Sequence, residues 1–293
     1  MCNPPLWIFP DGTDNGRVMV FARWAVISQR VAGSDRPSAE ALREPLRMAP
    51  PPWLWIALTL AGIGCRVVQY AWDRSFWVDE ASLVLNIRER TASMLMGALD
   101  FNQAAPPLFL LIERGLYRVF GGSELSLRLF PLVSGCVSVI LFAALARRML
   151  KPWMAIVALA LFCFSDRLIW HATEVKPYGV DACVAVALTL VAFAGRSDVR
   201  KLIGLCGLAT VAVWLSYPAV LVFAGLSLTL LPAMARRGAR GVGLYVLCNL
   251  PVVLSFAALM WVVKAQHNQA LGDYWAEDFL PFQSPIPAVI WLG

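Results

Sequence analysis

Seven apolar stretches dominate this sequence, at 53–72, 125–146, 152–170, 178–195, 201–217, 218–234 and 242–263. Each is long enough to cross about 30 Å of hydrocarbon at about 1.5 Å per helical residue, which takes roughly 17–25 residues. A run from Pro285 to Gly293 opens an eighth. The predicted fold is therefore all-α, a polytopic membrane helix bundle of at least seven spans plus a truncated eighth. With 59% hydrophobic and 15% charged residues, the chain is too apolar for one globular core, since soluble domains average about 45–50% and about 25%. A soluble enzyme, a disordered chain and a disulfide scaffold are excluded. Cys65, Cys136, Cys163, Cys183, Cys206 and Cys248 fall inside apolar runs and Cys2 near the start, none with metal-ligand spacing, so they read as small packing residues.

The net charge of +6 would point to nucleic acid in a soluble protein, but here it sorts by membrane side. With residues 1–52 inside, 15 Lys and Arg lie on the cytoplasmic side, in that extension and in the turns around Arg147–Lys151, Arg196–Lys201 and Arg236–Arg240. Eight lie outside, five of them in a loop over 73–123 that also holds six acids. The run 106–120 is interrupted by Glu113, Arg114 and Arg118, and is predicted as an interfacial helix, because counting it as a span would turn the later basic clusters outward. Two domains follow: a cytoplasmic basic extension, 1–52, and a transmembrane domain, 53–293, with its outer loop at 73–123. The extension does not read as a cleaved signal, because Arg23 and Arg30 break its apolar stretch. It is either an amphipathic surface helix or an irregular tail.

Polar residues suited to chemistry collect on the outer side. Phe76-Trp77-Val78-Asp79-Glu80 stands where the first span ends. An aspartate there can take a proton from an attacking hydroxyl, with partial burial raising its pKa, or it can simply cap a helix. Trp170-His171-Ala172-Thr173-Glu174-Val175-Lys176-Pro177-Tyr178 gathers an imidazole, a carboxylate, an ammonium and a phenol on the same side, although Glu174 and Lys176 can equally pair with each other. Arg128, one turn into the second span, needs an anion, either Asp79 or Glu80 or the phosphate of a ligand. Arg66 poses the same question near the outer end of the first span. Asn268 to Gln283, the last outer loop, is an interfacial aromatic belt or a substrate contact.

Together with Gln103-Ala104-Ala105-Pro106-Pro107-Leu108 and Glu124-Leu125-Ser126-Leu127-Arg128-Leu129-Phe130-Pro131, these motifs resemble the GT-C glycosyltransferases. More narrowly they are similar to the protein mannosyltransferase and aminoarabinose transferase superfamily, including lipopolysaccharide-core galacturonosyltransferases. The resemblance implies inverting transfer of a sugar from a polyprenyl phosphate to a hydroxyl of a glycolipid, polysaccharide or protein, on the extracytoplasmic face of the plasma membrane. It implies Asp79 as catalytic base, Glu80 shaping the acceptor pocket, and Lys176, Arg128 and Arg66 as cations for the donor phosphate. Glu174 would orient Lys176 or a sugar hydroxyl, and Tyr178 and His171 would bond the sugar or phosphate. It also implies further helices beyond Gly293. No cofactor is expected; a divalent metal joining Asp79 and Glu174 stays open, with an obligatory one disfavoured. No nucleic acid partner is expected. A secondary transporter or lipid flippase is the alternative, disfavoured because no paired repeat with broken helices is visible.

Overall fold

The computed structural model describes residues 49–194 and 197–266. Among them ten α-helices form, with one 3₁₀ turn at Met94–Met96 and no strand. They are α1 (Pro52–Ala71), α2 (Val78–Glu89), α3 (Pro107–Phe120), α4 (Glu124–Met149), α5 (Pro152–Cys163), α6 (Asp166–His171), α7 (Tyr178–Ala192), α8 (Asp198–Ala212), α9 (Ala219–Ala235) and α10 (Gly238–Gln266). The protein is the polytopic helical bundle that the sequence predicts. α1, α4 and α10 are long and apolar enough to cross a membrane, whereas α5, α7 and α9 are apolar but shorter. Residues 1–48 of the basic extension, the last outer loop and the incipient eighth span lie outside the described residues.

Helix boundaries follow local chemistry. Proline in the first turn opens α1, α3 and α5, where its missing N–H costs nothing. Ser123 caps α4 by accepting a hydrogen bond from the Ser126 N–H. The stretch 152–170 is not one span: α5 stops at Cys163, Phe164 and Ser165 leave the helix, and α6 restarts at Asp166. The polar Ser165-Asp166 pair favours a new start over continuation.

α4 is the central helix and packs on α1, α5 and α7, while α7 also meets α8 and α9. One apolar cluster joins α1, α4 and α5 around Leu159 and Val139. A second joins α7 to α10 around Leu202, Leu205 and Phe223. A third lies across the outer end, where Leu83 and Ile87 of α2 meet Phe109 and Leu110 of α3. α3 stays at this end as predicted: the Leu108 N–H donates to the Trp214 carbonyl in the α8–α9 turn, and Arg114 donates to the Ile87 carbonyl. The bundle's circumference exposes large apolar side chains such as Leu161, Leu221 and Trp261. That surface is costly in water and natural in lipid, and the protein is membrane-embedded.

Candidate active site

One end of the bundle collects α2, α3, the α6–α7 turn, the α8–α9 turn and the last residue of α10. Tyr217 ties several of these together, its hydroxyl lying 2.9 Å from the Ala105 carbonyl oxygen and 3.0 Å from Gln266 Oε1. Between α2, the 101–104 segment and the start of α7 opens a cleft of about 530 Å³, lined by Asp79, Ser82, Gln103, Lys176 and Tyr178 with Trp77 and Phe101 at its rim.

Asp79 sits in the first turn of α2, its side chain half exposed to the cleft. Lys176 brings its ammonium 2.7 Å from Asp79 Oδ2 and 2.7 Å from Gln103 Oε1. The Gln103 amide in turn donates to Asp79 Oδ1 at 2.9 Å, closing a triangle of three side chains. Phe101 and Asn102, just before Gln103, both adopt positive φ, at 61° and 52°. That conformation is uncommon for asparagine and strained for phenylalanine, and it turns the segment so that Gln103 faces Asp79.

Burial pushes the Asp79 carboxyl up, but hydrogen bonds from Lys176 and Gln103 and the Lys176 charge outweigh it, and the pKa lies below the ordinary aspartate value. The expected upward shift is thus corrected. A raised pKa needs burial without a cation, and Lys176 is in contact.

Glu80 points the other way. It is 1% exposed, and its two oxygens accept from Arg128 Nε and Nη2, from the Val175 N–H at 2.9 Å and from the Trp77 N–H at 3.1 Å. Arg74 adds a contact at 3.4 Å. With its oxygens so engaged, Glu80 does not line the cleft, which corrects its reading as a catalytic or acceptor-shaping residue. It instead fastens the start of α2 to α4 and to the turn that carries Lys176.

Arg128, 1% exposed, gives its remaining donors to the Arg74 and Ser75 carbonyls. Of the two partners open to it, it takes Glu80 and not a ligand phosphate. Arg66 is fully buried and donates to the Gly62 carbonyl at 2.8 Å, the Cys163 carbonyl at 3.2 Å and the Phe162 carbonyl at 3.5 Å. Two of these are carbonyls freed at the end of α5, where a cation also meets the negative end of the helix dipole. Neither arginine reaches the cleft, so neither is placed to hold a donor phosphate.

Glu174 accepts from His171 Nδ1 at 2.8 Å and from the Trp170 indole N–H. It does not pair with Lys176. Arg74 stacks over Trp170 at 4.0 Å and approaches Glu174 at 3.8 Å. The His171 ring meets the Tyr178 ring edge-on at 5.0 Å, and Tyr178 lines the cleft. Glu174 and His171 thus stand behind Tyr178. Gln103, Trp77 and Phe101 complete the cleft; the Gln-x-x-Pro-Pro motif pointed to the first, and the aromatic pair before Asp79 to the second.

A family profile described as dolichyl-phosphate-mannose-protein mannosyltransferase matches residues 104–261, more than half of the chain. The protein belongs to this family. It is a membrane glycosyltransferase of the GT-C type, as the motifs imply. The matched segment contains Arg128, His171, Glu174, Lys176 and Tyr178 and begins one residue after Gln103, so Asp79 and Glu80 precede it. Searches of curated proteins and of solved structures return no match.

Proposed function

We propose that this family member transfers a sugar from a polyprenyl-phosphate donor to a hydroxyl acceptor, with inversion, and that Asp79 is the general base. One observation carries the proposal: Asp79 is the carboxylate that opens on the cleft, and it is held there by a buried ammonium and an amide. The acceptor oxygen gives its proton to Asp79 as it bonds to the anomeric carbon. The bond from that carbon to the phosphate oxygen breaks, and the polyprenyl phosphate leaves with the electron pair. The exposed Trp77 and Phe101 rings and Tyr178 offer apolar faces for the sugar.

Lys176 has two calls on its charge in this scheme. Without substrate it neutralises Asp79; the donor phosphodiester brings one negative charge beside it, which grows toward two as the polyprenyl phosphate leaves, and this draws the ammonium toward the phosphate. Asp79 then loses the partner that depresses its pKa and becomes a stronger base when the donor is in place. Glu174 and His171 position Tyr178, while Glu80 with Arg128 and Arg74 positions the strand of chain that bears Lys176.

The donor set at Asp79 does not suit a divalent ion, because one oxygen faces an ammonium and the other an amide N–H. Among the described residues no three His, Cys, Asp or Glu side chains converge. No step is therefore routed through a metal. The basic turns at the opposite end of the bundle favour a cytoplasmic position for that end and an extracytoplasmic cleft in the plasma membrane.

The test is transfer from labelled polyprenyl-phosphate sugars to cell-envelope glycolipids in membranes carrying wild type or Asp79→Asn. Loss of transfer with unchanged protein level is expected. Full activity in the variant overturns the assignment.

A further inference from the structure

At the end of the bundle opposite Asp79, a cavity of about 450 Å³ lies between the last turns of α4 and α7 and the first turns of α8. Arg148, Arg200 and Lys201 surround its mouth, and its wall is Leu190, Val191 and Ala194. Among the described residues the carboxylate nearest these cations is Asp198, 3.7 Å from Lys201; Arg148 and Arg200 have no acidic partner. By contrast the neighbouring Arg147 is settled over the Trp55 ring at 4.2 Å.

Three like charges held around one opening repel each other unless an anion joins them. A soluble anion satisfies the charges and leaves the apolar wall wet. An amphiphile with an anionic head satisfies both, and the cavity stands where the apolar helices meet their basic flanks, the arrangement that attracts anionic headgroups. We infer that this cavity is a binding site for the headgroup of an anionic phospholipid. Its phosphodiester sits among Arg148, Arg200 and Lys201, and the first methylenes of its acyl chains lie on Leu190, Val191 and Ala194. The lipid joins α4 and α7, which carry Arg128 and Tyr178 at the other end, to α8.

The inference is independent of the glycosyl-transfer chemistry, and the test is a binding measurement. The full-length protein in detergent micelles is titrated with dioleoylphosphatidylglycerol, dioleoylphosphatidylcholine or inorganic phosphate, and retained adducts are counted by native mass spectrometry. Wild type is expected to retain phosphatidylglycerol over phosphatidylcholine. The triple variant R148Q/R200Q/K201Q is expected to bind it roughly a hundredfold more weakly, since each basic side chain near an anionic head contributes about 1 kcal/mol. R236Q/R237Q, which removes two exposed cations from the turn between α9 and α10, is expected to bind like wild type. Helical content by circular dichroism checks the triple variant, and Arg148→Gln alone gives a partial loss should the triple fail to fold. Equal retention of both lipids, equal weakening by R236Q/R237Q, or saturation by inorganic phosphate at the same concentration overturns the inference.

Discussion

Lys176 is bonded at once to Asp79 and to Gln103, at 2.7 Å each, and it is 8% exposed although its two partners line an open cleft. Three segments distant in sequence therefore meet at one ammonium: the start of α2, the turn before α3 and the turn before α7. A buried ammonium is costly without compensation, and here a carboxylate and an amide oxygen supply it. The same contacts hold Asp79 ionised, so the stability of the resting site and the readiness of the proposed base are coupled through one cation.

Lys176→Gln tests that coupling through pH. With Lys176 present, the Asp79 carboxyl titrates below the ordinary aspartate value. A base must be ionised to act, so wild-type activity persists as the pH falls until that low value is reached. Removing the cation leaves burial as the main influence, which raises the pKa. The acid limb of kcat/KM against pH is expected to move to higher pH in Lys176→Gln, with KM for the donor increased. An unmoved acid limb would show that Lys176 does not control Asp79.

Glu80→Gln separates structure from chemistry. Glu80 and Arg128 are both almost fully buried, with Arg128 Nη2 2.9 Å from Glu80 Oε2. Breaking a buried pair by removing one charge costs about 3–5 kcal/mol, because the other is left uncompensated. The variant is expected to unfold at a clearly lower temperature. A double variant, Glu80→Gln with Arg128→Leu, should recover part of that loss, as a double-mutant cycle on Tm would read. Simple additivity of the two changes would contradict the pairing.

The apolar runs made the bundle legible, since a stretch of some twenty apolar residues admits few other folds. The packing of α3 at the end of the bundle that holds α2 agrees with its reading, from Glu113, Arg114 and Arg118, as something other than a span. The break at Phe164 was signalled by Ser165, Asp166 and Arg167, yet hydropathy averaged over the run conceals it. Partner choice was the part that composition cannot carry. Arg128 needed an anion and could take Asp79, Glu80 or a phosphate, and only the crossing of α2 and α4 selects Glu80. Arg66 needed an anion by the same reasoning and found carbonyls at a helix end, which exist only because α5 stops at Cys163. Gln103 and Phe101 face Asp79 through a backbone turn with positive φ, and no residue pattern announces it.

Gly135→Ala should disable the site from behind. Gly135 lies in α4 against the α6–α7 turn, and a Cβ there would stand 2.4 Å from the Ala172 Cβ. Neither atom is a flexible side-chain end, so the helix and the turn must part. His171, Glu174 and Lys176 ride on that turn. Transfer activity is expected to fall sharply, together with a measurable loss of Tm. Gly207→Ala, where an added Cβ meets nothing within 4 Å, is the matched control and should leave both unchanged or slightly raise stability. Equal behaviour of the two variants would remove the packing argument.

Glu113 supplies a pH signature of its own. It is fully buried on the apolar face of α3 beside Phe109 and Leu110, and neither carboxyl oxygen has a hydrogen-bond partner. Burial alone raises its pKa well above the ordinary 4.5. The folded protein therefore holds a proton that the unfolded chain releases, and stability falls as the pH rises from the unfolded value toward the folded one. The contribution is fully present below the unfolded pKa and lost as pH passes through the folded pKa. Thermal unfolding followed from about pH 4.5 to about pH 8 should show this decline in wild type. Glu113→Gln keeps the shape and removes the titration, so its profile should be flatter and its Tm at the alkaline end higher than that of wild type. A variant less stable than wild type at the alkaline end would mean that Glu113 is ionised in the fold and paired with a cation.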